Sequence, residues 1–210
     1  MKILLLSAHT DDVELGLGGT LSRYVRTDKD PNIKWVAFSS PRGVTDREAK
    51  VEFDASISCI RKVGKDGLKL NYTMDTFPVR NFGNHRQEIL DVLTKIKQDF
   101  HPTIVFGPAT TDVHQDHSVL SEEMIRCFKS SSTILGYEMP WNQLTSNSSV
   151  YVKLTKQNMI DKVNMLKCYQ SQMKDRLFFN EDVIFGQGKI NGAVINSDYA
   201  EKFECIRMIQ

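Results

Sequence analysis

Short apolar runs alternate along the chain with longer segments in which apolar residues recur at every third or fourth position. The runs are typical of strands buried on both faces, and the periodic segments are typical of amphipathic helices. Strands are predicted at residues 2–7, 33–38, 68–72, 103–106, 134–137 and, as an alternating edge strand, 150–154. Helices are predicted at residues 20–26, 47–63, 85–100, 118–129, 156–169 and 199–207.

This order of elements predicts a single α/β domain over residues 1–210. The expected fold is Rossmann-like, with a mostly parallel sheet and helices on both of its faces. Thr155 and Asp198 are expected to cap the helices that follow them. The segments 140–149 and 174–192 are polar or contain glycine, so they are predicted loops that can border a site.

The composition narrows the class of protein. Hydrophobic residues make up 40% of the chain and charged residues 25%, as in ordinary soluble domains. The net charge of +1 predicts no nucleic-acid partner. The apolar start is too short for a signal peptide or a membrane span, and the four cysteines form no CxxC pair. We therefore expect a cytoplasmic protein that does not insert into a membrane. The sequence does not decide whether it forms a homo-oligomer.

The first candidate site follows the first predicted strand, where His9, Asp11 and Asp12 lie close together in the sequence. Parallel sheets bind ligands beyond the carboxyl ends of their strands, and a cation offsets the repulsion between adjacent carboxylates. Imidazole and carboxylate together are a ligand set that suits zinc. The alternative is that Asp11 and Asp12 only cap the next helix.

A glycine-rich bend follows at residues 16–19. Gly16 and Gly18 begin the pattern of a dinucleotide-binding loop, but Leu21 stands where the pattern requires a third glycine. The bend also begins too far from the strand. Nucleotide binding is therefore a minor alternative, and the glycines are expected to allow close packing of a helix on a strand.

The second candidate site contains His114, Asp116 and His117, soon after the strand predicted at 103–106. The two histidines are three positions apart, so they share one face if this segment begins a helix. An aspartate between them can orient an imidazole by accepting its second N–H. Surface histidines at a helix start are the alternative for this cluster on its own.

Together, the two clusters predict a metal site at one edge of the sheet. They follow strands that can be neighbours in a doubly wound sheet. Two histidines and one aspartate leave a coordination position open, as catalytic zinc sites do. Structural zinc more often has thiolate ligands, and no cysteine lies near either cluster in the sequence.

The residues around both clusters resemble the motifs of a known family. AHTDDVELGLGGT at 8–20 matches AHPDDxExGxGGT, and HQDH at 114–117 is similar to HPDH. Both patterns are typical of the PIG-L/LmbE family of zinc-dependent N-deacetylases. Weaker similarities at 137–138, 171–172 and 199–203 extend the resemblance over nearly the whole chain.

The resemblance implies a Rossmann-like fold and a role for each residue of the two motifs. The implied zinc ligands are His9, Asp12 and His117. It further implies that Asp11 is the general base, that His114 stabilises the oxyanion and that Asp116 orients a histidine. In the mechanism that we expect from these roles, His114 is protonated when it stabilises the oxyanion. The implied reaction is hydrolysis of the acetamide of an N-acetylated amino sugar in a glycoside, a glycolipid or a nucleotide sugar. Family substrates are N-acetylglucosamine conjugates, including a phosphatidylinositol glycolipid, inositol and malate glycosides, and glycopeptide antibiotics.

Three positions depart from the family pattern. Thr10 and Gln115 replace prolines that stiffen loops. Asp112 stands where some members have a catalytic tyrosine, so Tyr137 becomes a candidate for that role. The arginines that precede the second motif are candidates to donate hydrogen bonds to sugar hydroxyls or to a phosphate. The candidate substrate contacts are Arg80, Arg47, Tyr137 and Asp112.

Two other functions are compatible with the same residues. A metal-dependent phosphoesterase would use these ligands to polarise a phosphoryl oxygen, often with two metals about 3.5–4 Å apart. A catalytically inactive relative would retain sugar binding alone, and its only support is Asp112 and the two missing prolines.

Overall fold

A computed structural model describes residues 1–28, 30–173 and 176–209. Within these ranges, the strands are β1 (Lys2–His9), β2 (Asn32–Ser39), β3 (Lys69–Met74), β4 (Ile104–Pro108), β5 (Thr133–Tyr137), β6 (Ser148–Leu154) and β7 (Tyr199–Arg207). The helices are α1 (Asp12–Thr27), α2 (Asp46–Val63), α3 (Arg86–Phe100), α4 (Gln115–Phe128), α5 (Lys156–Leu166), α6 (Gln170–Met173) and α7 (Glu181–Val194). Short 3-10 helices span Phe82–His85, Pro140–Asn142 and Leu177–Phe179.

The strands form one sheet in the order β3-β2-β1-β4-β5-β7-β6. The first five strands pair in parallel, and β7 is antiparallel to both β5 and β6. The predicted α/β class and mostly parallel sheet are therefore confirmed, with β6 at an edge as expected. The chain leaves β1 toward β2 on one side and later returns to β4 on the other. The carboxyl ends of β1 and β4 thus flank the point where ligands bind in open α/β sheets.

Strand β1 is buried on both faces by two separate hydrophobic cores. Ile3 and Leu5 pack with residues of α1, α2 and α5, whereas Leu4 and Leu6 pack with residues of α3 and α4. Helices therefore cover both faces of the sheet. A strand covered in this way is apolar at successive positions, which is why the pattern at the start of the chain predicted it.

The segment 199–207 is a strand, so the predicted helix and its Asp198 cap are wrong. Tyr199 and Phe203 are four positions apart, which imitates a helical stripe. In the structure, Phe203 and Cys205 face the core at the two-residue spacing of a strand. Pairing with β5 and β6 on both sides decides this conformation, and the local pattern carries no information about that pairing.

Much of the segment predicted as a loop at 174–192 is helical, because it contains Leu177–Phe179 and most of α7. Residues 174 and 175 lie outside the described ranges. Helix α7 was not predicted because it contains three glycines, and glycine is a poor helix former. A Cβ on Gly192 would lie 2.4 Å from the backbone oxygen of Ser197. The glycine therefore allows α7 to approach the start of β7.

The glycines at residues 16–19 lie inside α1 and not in a bend before it. Helix α1 already begins at Asp12 and is kinked at Leu17, whose φ is −144°. A Cβ on Gly16 would lie 2.5 Å from the ring of Tyr137. This glycine therefore allows α1 to pack closely on β5. Close packing is the role expected for these glycines if the segment does not bind a nucleotide.

Three further features are the cap of α5, the state of the cysteines and the apolar character of the helices. Thr155 caps α5 through reciprocal hydrogen bonds with Asn158, which confirms that prediction. The sulfur atoms of Cys59 and Cys168 are 3.6 Å apart, and all four cysteines are free thiols. No helix in the described part of the chain combines the length and apolar character needed to cross a membrane.

Candidate active site

The two histidine–aspartate motifs meet at the carboxyl ends of β1 and β4. His9 is the last residue of β1, and Asp11 and Asp12 lead directly into α1. His114 is the N-cap of α4, and His117 lies in the first turn of that helix. The turn between β1 and α1 is tight, because the backbone N–H of His9 donates to Asp12 Oδ2 at 2.7 Å. Topology thus joins segments more than 100 positions apart in the sequence.

Three ligand atoms converge at this edge: His9 Nδ1, Asp12 Oδ2 and His117 Nε2, which we call the metal triangle. His117 Nε2 lies 3.3 Å from both other atoms, and His9 Nδ1 lies 3.5 Å from Asp12 Oδ2. Tetrahedral zinc with bonds of about 2.0–2.2 Å separates its ligand atoms by about 3.3–3.6 Å. The residues therefore fit one zinc ion, and the imidazoles of residues 9 and 117 are close enough to share it.

The charges of the metal triangle also favour a cation. Burial disfavours charged imidazoles, but Asp12 and the other carboxylates outweigh it and raise the pKa of His9 to about 9 and that of His117 to about 10. Burial likewise opposes charge on Asp12, yet His117 and His9 hold the pKa of Asp12 well below its usual range. Protons thus balance the carboxylate in the metal-free site, and a divalent metal would displace them.

A carboxylate lies behind each imidazole of the triangle. Asp112 Oδ2 is 2.7 Å from His117 Nδ1, and Asp116 Oδ2 is 3.3 Å from His9 Nε2. These contacts leave one nitrogen of each ring for a metal. Asp116 thus contacts a histidine, as expected for a residue that orients an imidazole. Asp112, which was predicted to contact substrate, is instead buried behind His117 and does not line the cavity.

A second set of metal-ligating groups, His9, His114 and Asp116, shares His9 with the metal triangle. The carboxylate of Asp116 already accepts the backbone N–H groups of Arg80 at 2.6 Å and Phe82 at 3.3 Å. It therefore holds the loop before α3 in place. The two-metal arrangement of many phosphoesterases is not favoured by this geometry.

Asp11 is available for proton transfer. It precedes α1, but its side chain makes no capping hydrogen bond, which argues against the helix-cap alternative. Its carboxylate lies outside the metal triangle and lines the same cavity. Burial, together with the charge of Asp12, raises the pKa of Asp11 to about 6. A carboxyl group in this range is suited to act as a base near neutral pH.

His114 presents a neutral imidazole. Its Nδ1 accepts the backbone N–H of Asp116 at 3.3 Å, so the proton of the neutral ring is on Nε2. Burial and the neighbouring His117 and His9 lower the pKa of His114 to about 4. A metal ion nearby would lower it further. This corrects the expectation of a protonated His114, and the ring remains a hydrogen-bond donor.

Two predicted substrate contacts lie elsewhere. Tyr137 is fully buried, and its hydroxyl donates to the carbonyl oxygen of Leu6 at 2.9 Å. It therefore ties β5 to β1 and is not among the residues that line the cavity. Arg47 is an exposed residue near the start of α2, and it does not line the cavity either.

The metal triangle opens into a cavity of about 330 Å³, near the lower end of the roughly 300–1,000 Å³ range of ligand pockets. Arg80 lines this cavity, as the sequence-based assignment requires. Described residues from both predicted loops, 140–149 and 174–192, also line it. Further lining residues are Arg42, Trp141, Asn142, Arg176 and Phe178.

Sequence reasoning missed most of these lining side chains. Trp141 and Phe178 stack with ring centroids 3.9 Å apart and planes inclined by 10°. Only their position in predicted loops suggested that they could border a site. Arg42 follows the carboxyl end of β2, the kind of position that identified both motifs, so a survey of every strand end would have found it. Arg176 follows no strand, so its only signal was its position in the predicted loop 174–192.

A buried network supports the turn that carries Asp11. Glu14 is fully buried and accepts hydrogen bonds from the hydroxyls of Ser56 and Tyr169. The Tyr169 hydroxyl also lies 2.7 Å from the carbonyl oxygen of Thr10. The glutamate of the first motif therefore anchors the turn to α2 and to the segment after α5.

Comparisons with known sequences agree with the two motifs. The profile of the family described as PIG-L, GlcNAc-PI de-N-acetylase, matches residues 4–128. The chain is also 28% identical over 176 residues to the uncharacterized deacetylase YaiS of Escherichia coli. That match covers 80% of this chain and 90% of the relative.

Solved structures share the fold. The conserved protein TT1542 from Thermus thermophilus has a TM-score of 0.78 and 20% identity, with 99% of this chain and 96% of that chain covered. The zinc-inhibited form of teicoplanin deacetylase Orf2 has a TM-score of 0.74 and 14% identity, with 97% of each chain covered. Since the family profile matches more than half of the chain and includes both motifs, the protein belongs to the PIG-L family.

Proposed function

We propose that the protein is a zinc-dependent hydrolase that removes the acetyl group from an N-acetylated amino sugar. The observation that carries this proposal is the metal triangle, with ligand atoms 3.3–3.5 Å apart, beside the uncommitted carboxyl group of Asp11. Family membership supports the reaction class. The substrate class is an N-acetylglucosamine-type glycoside, glycolipid or nucleotide sugar.

His9, Asp12 and His117 would hold the zinc ion, which would supply Lewis-acid polarisation of the acetamide carbonyl and make the attacking water more acidic. Asp112 and Asp116 keep the two imidazoles in the orientation that such binding requires. Burial of the triangle strengthens these interactions, because few water molecules screen them.

Asp11 and His114 carry the proton chemistry in this proposal. Asp11 accepts a proton from the attacking water, for which a pKa of about 6 is suitable. The Nε2–H group of His114 donates a hydrogen bond to the carbonyl oxygen as negative charge develops there. Asp11 then passes its proton to the nitrogen of the leaving amine. The C–N bond breaks, and acetate and the free amino sugar are the products.

The cavity supports a substrate of about the size of one sugar near the metal. Its volume is about 330 Å³, and its walls combine the stacked Trp141–Phe178 pair with donors such as Asn142 and Arg80. Aromatic walls with a few placed polar groups are typical of small-molecule sites. Arg80 is the sequence-based candidate that this cavity retains.

Acetate release tests the proposal. The protein is incubated with a panel of free, glycosidic, lipid-linked and nucleotide-linked N-acetyl sugars, with and without a chelator. We expect release from at least one substrate, loss with the chelator and recovery with zinc, and one metal per chain that His117→Ala removes together with activity. Release that persists in demonstrably metal-free protein would contradict the proposal. Two metals per chain with phosphate release would favour a phosphoesterase, and sugar binding without turnover in zinc-loaded protein would indicate an inactive relative.

A further inference from the structure

Three arginines surround the cavity that contains the metal triangle. Arg42 follows β2, Arg80 follows β3 and Arg176 follows α6, so each comes from a different segment. Within the described ranges, none of the three guanidinium groups has a carboxylate at salt-bridge distance. Arg26 and Arg86, by contrast, pair with acidic side chains. Three unpaired positive groups that face one cavity form a local positive field.

The backbone of Arg80 is held in an unusual conformation. Its φ is 64°, in the left-handed region that residues other than glycine rarely adopt. Its N–H donates to Asp116 Oδ2 at 2.6 Å, and its carbonyl oxygen accepts from Gln115 Nε2 at 2.6 Å. Both partners belong to the second motif. The fold therefore fixes the backbone of Arg80 beside the metal triangle, although the side chain is exposed, and strain of this kind is typical of functional sites.

Aromatic side chains position Arg176. Its guanidinium carbon lies 5.7 Å from the centre of the Phe178 ring, within the range of a cation–π contact. Phe178 in turn stacks on Trp141. The stacked pair and the guanidinium together form one wall of the cavity that Asp11 also lines.

Arg42 and Arg176 also line a second cavity of about 400 Å³, which they share with the first. Gln172 lines this second cavity, and its Oε1 is buried with no hydrogen-bond partner among the described residues. The two arginines therefore lie between the cavity beside the metal triangle and this second cavity. The second cavity is large enough for another part of a substrate.

We propose that Arg42, Arg80 and Arg176 form an anion subsite, so that the substrate carries a phosphate or a carboxylate on its aglycone. This inference rests on the proposed deacetylase function. Among the described residues that line the first cavity, the carboxylates are Asp11 and Asp12, the proposed base and metal ligand. Glu48 lines the second cavity but forms no salt bridge with Arg42 or Arg176 among the described residues. The arginines thus remain available to a ligand. Guanidinium groups bind either oxyanion through paired N–H donors.

Substrates that differ in charge test the subsite. Zinc-loaded full-length protein is assayed for acetate release from three glycosides of N-acetylglucosamine: the neutral methyl glycoside, the carboxymethyl glycoside and the 1-phosphate. We expect kcat/KM for one of the anionic substrates to exceed that of the methyl glycoside at least tenfold, and to fall as ionic strength rises. The preferred substrate shows whether the anion is a phosphate or a carboxylate. A ratio near one overturns the subsite.

Matched variants assign the preference to the arginines. Arg42→Gln and Arg176→Gln are expected to reduce the anionic-to-neutral ratio of kcat/KM about tenfold, mainly through KM. The control is Arg207→Gln, because Arg207 is exposed at the opposite end of the sheet, and it should keep the ratio. Both values come from one sample, so a loss of folded protein cannot change the ratio. An unchanged ratio in both cavity variants overturns the proposal.

A binding measurement separates this inference from the proposed function. If no substrate releases acetate, the deacetylase proposal fails. Calorimetric titration of the same three glycosides into zinc-loaded protein then decides on the subsite. Tighter binding of an anionic glycoside, lost in Arg176→Gln, supports the subsite, and equal binding of all three overturns it.

Discussion

Asp11 and Asp12 are neighbours in sequence, but their environments give them different properties. The imidazoles of His117 and His9 hold the pKa of Asp12 well below its usual range, despite burial. Burial and the charge of Asp12 raise the pKa of Asp11 to about 6. Pairs of carboxyl groups whose pKa values are pushed apart commonly divide two roles between them. In the proposed function, the division is between a metal ligand and a base.

The Asp11→Asn variant tests that division of roles. The amide cannot accept the proton of water, so we expect kcat to fall about 10²- to 10⁴-fold. Zinc content should stay at one per chain, because Asp11 lies outside the metal triangle. Acetate release and metal analysis on the same sample provide both measurements. Activity close to that of the unmodified protein would rule out Asp11 as the base.

At the scale of elements, the site depends on how closely α1 approaches β5. Asp12 begins α1, and Gly16 lies one turn later against the ring of Tyr137. That ring is fully buried, and its hydroxyl is bonded to the carbonyl oxygen of Leu6. The packing contact and the proposed metal ligand therefore lie one helical turn apart in α1, so a shift of this helix would move both.

Gly16→Ala is expected to lower both stability and activity. The added Cβ would lie 2.5 Å from the Tyr137 ring, so α1 or β5 has to move. Overpacking of this kind lowers the free energy of unfolding by about 1–3 kcal/mol, measurable by urea denaturation. We also expect kcat/KM to fall, because the start of α1 moves with the helix.

Gly83→Ala is the matched control for this substitution. Gly83 lies in the 3-10 helix Phe82–His85, and a Cβ there would meet no atom within 4 Å. Its effect should stay within about 0.5 kcal/mol. If the two variants were equally stable, the close approach of α1 to β5 would not be the constraint described above.

At the scale of the whole molecule, the parallel topology brings two distant segments to one candidate metal site. His9 ends β1, and His117 lies in the first turn of α4, the helix that follows β4. Strands β1 and β4 are neighbours in the centre of the sheet. An unfolded chain would not hold these ligands together. Metal binding is therefore coupled to the folded state.

Zinc should accordingly raise the melting temperature of the metal-free protein. A ligand present at 1,000 times its Kd stabilises the native state by about 4 kcal/mol. At roughly 2–4 °C per kcal/mol for a chain of this size, the expected shift is roughly 8–16 °C. Thermal unfolding of metal-free protein with and without zinc measures it. His117→Ala should lose most of the shift, and equal shifts in both proteins would place the binding elsewhere.

The sequence by itself predicted the features that depend on local patterns of residues. Uninterrupted apolar runs predicted the buried parallel strands, because such strands are covered on both faces. The motif residues could also be found, since ligand chemistry and strand-end position are both visible in the sequence. The structure places His9, Asp12 and His117 within reach of one ion.

Tertiary structure decided what depends on contacts between distant segments. Residues 199–207 form a strand because β5 and β6 pair with them, although their local pattern imitates a helix. Asp112 and Tyr137 proved to be supporting residues because other elements bury them, and Arg42 and Arg176 line the cavity because loops from separate parts of the chain converge there. A local pattern reports burial and chemical type at each position. Which residues become neighbours depends on the order and direction of the strands. No single segment of the sequence carries that information.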